Sequence, residues 1–202
     1  MKSLIYKDLV NLKQQSRVFL LIIVLWTVMA VLEKNTTFIG GLLAVFGLLI
    51  TMTAYAYDER AGWDKYALTM PVGRRTLVVS KYVLAVLALA VSMVFYVAIS
   101  TAVGADLRET LLTAAFFIAV GLITSEVILP VIIRFGTEKG RFFLITLILL
   151  LTFLALLIGQ SGADISIEIT VEQAALAALA LCAVLLPVSI AVSIRIYTRK
   201  EF

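Results

Sequence analysis

Val79-Ser80-Lys81-Tyr82-Val83-Leu84-Ala85-Val86-Leu87-Ala88-Leu89-Ala90-Val91-Ser92-Met93-Val94-Phe95-Tyr96-Val97-Ala98-Ile99-Ser100-Thr101-Ala102-Val103-Gly104 carries one charge, Lys81, at its start. A helix crossing the hydrocarbon core of a bilayer needs roughly 20 mainly apolar residues, and this stretch supplies them without interruption. Comparable runs lie at 18–34, 36–57, 110–133, 142–160 and 172–195, each flanked by charged or turn residues. The first is short between Arg17 and Glu33, which implies snorkelling flanks, local thinning or helix continuing into the polar flanks. With 62% hydrophobic residues and a mean hydropathy of +1.09, the chain has too little polar surface to coat a soluble globule. The expected fold is an all-α integral membrane protein of six transmembrane helices, a single domain over residues 1–202.

Short loops rich in Lys and Arg stay on the cytoplasmic side, and Asp and Glu contribute little to that bias. Lys2, Lys7, Lys13 and Arg17 precede the first run, and Arg60, Lys65, Arg74, Arg75 and Lys81 lie around the loop after the second. Arg134, Lys139 and Arg141 separate the fourth from the fifth, and Arg195, Arg199 and Lys200 follow the sixth. Of the 17 basic residues only Lys34 and Arg108 then fall on the other side, so both ends are expected in the cytoplasm. The run after Arg17 is expected to be retained, because Met29-Ala30-Val31-Leu32 lacks a small-x-small cleavage pattern.

Ahead of the first run, Leu4-Ile5, Leu9 and Leu12 recur at helical spacing, with Lys2, Lys7, Asp8 and Lys13 between them. This predicts a helix over 1–16 lying in the membrane interface; a frayed cytosolic tail is the alternative. Asp164 to Val171 alternates polar and apolar residues and reads as an extended outer segment. Thr170 with Gln173 fits a capping box that opens the last run.

The longest cytosolic loop, 58–78, is where function is most legible. Trp63, Tyr66, Ala67 and Met70 fall on one helical face, and Pro71 ends the helix by biasing Met70 away from helical geometry. Such an aromatic face can rest on lipid headgroups or dock a cytosolic partner. An acidic pair, then Gly62-Trp63-Asp64-Lys65-Tyr66, then Leu68-Thr69-Met70-Pro71-Val72-Gly73-Arg74-Arg75, then Ser80-Lys81-Tyr82, resembles small type-2 ABC transporter permeases. The likeness is greatest to the group that includes exporters of phenol-soluble modulins and bacteriocins. It spans nearly the whole chain, its specific motif is confined to 58–82, and Met70-Pro71 replaces the usual Leu-Pro.

The resemblance implies a coupling helix that inserts into a groove on an ATPase subunit. Trp63, Tyr66, Leu68 and Met70 would dock, Arg74 and Arg75 would make flanking ionic contacts, and Asp58, Glu59, Asp64 and Pro71 complete the motif. It further implies two copies of a cytosolic ABC ATPase, a second permease subunit identical or related to this one, and a place in the bacterial cytoplasmic membrane. Cargo of amphipathic or hydrophobic peptides rests on the resemblance alone. No Gly-x-x-x-x-Gly-Lys-Ser/Thr loop occurs, so ATP and magnesium are expected on the partner and no cofactor on this chain. Lipid is the only other partner expected, and nucleic acid is not.

Within the membrane Glu126 is the one carboxylate deep in a run, after Thr124 and Ser125 and four residues before Pro130. Pro130 cannot donate to the carbonyl of residue 126, so a kink and a carboxylate coincide. Glu126, about two turns from Arg134, is then a gating or cargo contact, or a structural group paired with a basic residue near the cytosolic interface. Pro187 likewise leaves the carbonyl of Ala183 without its helical donor. Gly40, Gly41 and Gly47 with Ala44 form a small-residue surface suited to a subunit interface or to packing within the chain.

With no histidine and one cysteine, Cys182, the chain has neither a usual proton shuttle nor an internal disulfide. An intramembrane enzyme would need converging nucleophiles or acid–base pairs, which are not found. A membrane anchor or toxin-immunity protein remains the alternative to a transporter.

Overall fold

The computed structural model describes residues 2–13, 16–33, 36–160 and 170–200, and these are helical throughout apart from short turns. In order the helices are α1 (Lys2–Lys13), α2 (Ser16–Glu33), α3 (Thr37–Arg60), α4 (Trp63–Thr69), α5 (Arg74–Ala102), α6 (Leu107–Phe135), α7 (Thr137–Gln160) and α8 (Val171–Arg199). The six apolar runs coincide with α2, α3, α5, α6, α7 and α8 to within a few residues. Of these, α3, α5, α6 and α8 are each long and apolar enough to cross a membrane. The expected extended segment at 164–171 falls almost entirely outside the described residues.

Local signals set several boundaries. Asp106 caps α6 by accepting from the Glu109 amide at 3.4 Å. At the start of α8, the Gln173 amide donates to Thr170 Oγ1 and the Thr170 amide to Gln173 Oε1, each at 3.3 Å, which completes the expected capping box. Gly136, at φ +90°, separates α6 from α7.

The centre of the bundle is formed by α3, α5, α6 and α8, with the most extensive contact between α6 and α8 and the next between α3 and α5. The small residues of α3 are used inside the chain. A Cβ at Gly47 would stand 2.8 Å from Leu89 Cδ2 and 3.2 Å from Leu89 Cα, so the backbones of α3 and α5 approach closely here. Gly121 of α6 meets the same leucine from the other side, at 2.7 Å for its notional Cβ. Leu89 is thereby gripped between two glycines, and Gly40 and Gly41 seat the ring of Phe117. These contacts are the close helix packing within one chain that small residues permit.

At one end of the bundle Leu4, Ala67, Leu77, Val78, Tyr82, Leu129, Ile133 and Tyr197 form a shared core. It unites α1, α4, α5, α6 and α8, and so ties the first helix and the short loop helix to the bundle itself. Leu4 makes the contribution of α1 and shares a buried face with Asp8 and Leu12, one residue per turn. Tyr6, Leu9 and Val10 point away. The expectation that Asp8 belongs to the polar side of α1 is corrected here: it is 1% exposed.

Candidate functional site

Among the described residues, the end of the bundle bearing α4 holds four of the five ion pairs. α3 closes at Arg60, and Gly62 takes a left-handed conformation (φ 60°, ψ 28°) that reverses the chain into α4. The helix lasts seven residues and stops where Met70 turns extended (φ −88°, ψ 159°) ahead of Pro71, as the rule for residues preceding proline requires.

So short a helix divides its face between two tasks. Ala67 is 1% exposed and Trp63 is half-buried, and both look into the bundle; Tyr66 is 65% and Met70 47% exposed. Pro71 and Arg75 extend this outward surface. The expected single aromatic face is thus split, because termination at Thr69 releases Met70 from the helical register that would align it with Trp63.

Behind α4 lies a charge cluster drawn from three helices. Lys81 Nζ of α5 donates to Asp58 Oδ2 at 2.5 Å and to Asp8 Oδ1 and Oδ2 at 3.1 and 3.0 Å. Lys7 Nζ donates to Asp58 Oδ1 at 2.5 Å, stands 3.2 Å from Asp8 Oδ1, and lies 4.2 Å from the centre of the Trp63 ring. Asp8, Asp58 and Lys81 are all buried. Two cations and two anions cancel, which is what allows such charges out of water, since an isolated ion there costs several kcal/mol. The Lys7 contact joins this cluster to the inner face of α4.

Further polar contacts fix the same end. Tyr197 Oη of α8 donates to Asp64 Oδ1 at 2.9 Å, and Arg74 Nη1 donates to the Thr198 carbonyl at 2.6 Å. Glu59 Oε2 accepts from the Thr137 amide at 2.8 Å and its hydroxyl at 2.5 Å, so the α3–α4 turn and the α6–α7 turn are bonded to each other.

Glu126 sits elsewhere, buried between α6 and α8. Cys182 Sγ donates to Glu126 Oε1 at 3.2 Å, while Oε2 has no partner among the described residues. The expected pairing with a basic residue does not occur there. Pro130 has no amide hydrogen to offer the Glu126 carbonyl, and Ser189 Oγ donates to that carbonyl at 2.5 Å. Tyr82 Oη in turn contacts Ser189 Oγ at 2.6 Å and Ser193 Oγ at 2.8 Å. A polar thread therefore crosses from α5 through α8 to the freed carbonyl of α6. Replacing Ser189 with alanine strands that carbonyl in an apolar setting. The expected cost is about 1–3 kcal/mol, read as a lower unfolding midpoint in detergent, with Ser193→Ala milder because it leaves the carbonyl satisfied.

A family model described as ABC-2 family transporter protein matches residues 3–198. The chain belongs to the ABC-2 transporter family. The match runs from α1 into the last turn of α8 and so contains the whole site described above. No curated protein and no solved structure matches the chain. As an ABC-2 transporter it is a multi-pass membrane protein and a component of membrane transport, which is not itself a catalyst.

In this ABC-2 transporter the residues of the loop motif fall into two groups. Tyr66, Met70, Pro71 and Arg75 are exposed. Asp58, Trp63, Asp64 and Arg74 face or bond into the bundle, and Glu59 is exposed yet bonded to Thr137. The side chain of Leu68 lies outside the described residues. Lys7, Asp8 and Tyr197 lie outside the loop motif, and Lys81, within it at Ser80-Lys81-Tyr82, has no role assigned by the resemblance. The available signal was Lys81 standing inside the apolar start of α5, with Asp58 just beyond the apolar part of α3.

Proposed function

We propose that this chain is the permease subunit of an ATP-driven ABC exporter, with α4 as the coupling helix. The observation that carries this reading is the division of α4. Its inner side is secured by Lys7, Tyr197 and the shared core, and its outer side leaves Tyr66 and Met70 bare on a rigid mount. Exposed aromatic and thioether side chains on a supported element suit a groove in a partner protein.

In this reading six helices span the membrane, α1 lies along its cytosolic interface, and both ends of the chain face the cytoplasm. Two permease subunits enclose a pathway, two ATPases bind ATP and magnesium beneath it, and amphipathic or hydrophobic peptides are the preferred cargo. The abundance of exposed apolar side chains on α5, α7 and α8 is in keeping with contact to lipid, a second permease or such a cargo.

The test is to purify the tagged chain in mild detergent, identify what accompanies it by mass spectrometry, and assay ATP hydrolysis. Stoichiometric recovery of an ABC ATPase is the expected result. Recovery of the chain alone, inactive towards ATP, overturns the reading in favour of an anchor or immunity protein.

A further inference from the structure

Where α6 and α8 end side by side, Arg134, Arg195, Arg199 and Lys200 line an open groove of about 370 Å3 together with Ile196. Arg195 and Arg199 are one turn apart on α8, Arg134 is in the last turn of α6, and all three arginines are exposed. Among the described residues none of them forms an ion pair. Lys200 is otherwise engaged: its Nζ donates to the Ile133 carbonyl at 3.2 Å, and it lines the adjoining pocket with Glu59.

Three guanidinium groups around one groove repel each other, so the arrangement favours an anion between them. Helix C-termini ordinarily repel anions through their free carbonyls. Here two of those carbonyls are covered, Ile133 by Lys200 and Thr198 by Arg74, so the groove presents donors. Planar guanidiniums bind phosphate oxygens two at a time. Beside the groove the surface becomes apolar: Phe135 is exposed, and Val184, Val188 and Val192 form an exposed line, one per turn, up α8.

We infer that this groove is a headgroup site for an anionic phospholipid, with the phosphate held by Arg134, Arg195 and Arg199 and an acyl chain lying along the valines of α8. Basic pockets where membrane helices end are suited to such headgroups. The inference rests on the membrane-spanning reading of α6 and α8 and not on ATPase docking, so a failed ATPase capture leaves it untouched.

Native mass spectrometry of the purified full chain in neutral detergent reads the site directly, with phosphatidylglycerol, phosphatidylcholine of the same chains and inorganic phosphate as probes. The expected result is retention of phosphatidylglycerol over phosphatidylcholine, with free phosphate a poor competitor. The combined Arg134→Gln, Arg195→Gln and Arg199→Gln variant weakens phosphatidylglycerol retention about a hundredfold, and each single change about fivefold. The single variants carry the test if the combined one fails to elute as a folded species. Equal retention of both lipids, or unchanged retention in the variants, overturns the inference. Competition by free phosphate as strong as by lipid reassigns the groove to a soluble anion. Loss of a protein partner from the variants with lipid retention unchanged reassigns it to that partner.

Discussion

Substituting Lys81 with methionine is expected to destabilise the protein by about 3–5 kcal/mol, the range found when one partner is removed from a buried ion cluster. Lys81 supplies the bonds that hold Asp8 and its share of those that hold Asp58. Without it, Lys7 alone faces two carboxylates, and Lys7 is the more solvent-exposed of the two cations. The cluster then carries net negative charge in a place shielded from water. One carboxyl must take up a proton or the helices must part.

The measurement is the unfolding midpoint in detergent, followed by a second round in which Asp8→Asn is added to Lys81→Met. Because the neutral amide relieves the excess charge, the double variant is expected to regain more than half of the loss. A double variant as damaged as the sum of the two singles would mean that the charges act independently, contrary to the geometry. The same cluster bears on the proposed docking, since Lys7 reaches the Trp63 ring from it. Lys81→Met should therefore weaken partner capture as well, even at temperatures where the bundle persists.

Tyr66→Asp with Met70→Asp is expected to abolish co-purification of an ABC ATPase while the detergent elution profile of the chain stays unchanged. Both side chains are exposed and neither contributes to the shared core, so the bundle has little reason to notice the change. A charged carboxylate brought into an apolar groove costs several kcal/mol without a partner, enough to remove binding in the micromolar range. Trp63→Ala forms the instructive contrast. It empties part of the inner face and removes the seat of Lys7, and is expected to lower stability and capture together. Capture that survives both outward substitutions would show that the partner uses another surface.

Much of this could be read from the order of residues. Stretches such as Val83–Val103 admit one solution in a bilayer, because a lipid-exposed backbone must bond to itself. Pro71 and Gly62 mark the ends of α4 through backbone rules that need no tertiary contact. Pro130 announces a free carbonyl at Glu126 on covalent grounds alone, although that Ser189 would answer it depends on how α6 and α8 cross.

What stayed hidden depends on contacts between distant segments. Helical spacing placed Asp8 among the polar residues of α1, since an acid is ordinarily outside. Its burial is intelligible only once Lys81, 73 positions later, comes to meet it. Trp63 and Tyr66 look equivalent in the sequence, and only the packing of Trp63 against Lys7 and the shared core separates an anchoring role from an outward one. For Glu126 the sequence leaves a gating or cargo contact open beside an ion pair, and the side-chain partner it has among the described residues is the thiol of Cys182.

The brevity of α4 bears on whether the loop can be moved between proteins. Seven residues cannot sustain a helix alone, since isolated helices shorter than about 12 residues are marginal in water. Its shape is lent by α1 through Lys7 and by α8 through Tyr197. A graft of residues 62–72 onto an unrelated permease would therefore arrive as an unstructured insert, and partner choice could be transplanted only as a three-part module that includes Leu4–Leu12 and the last turns of α8.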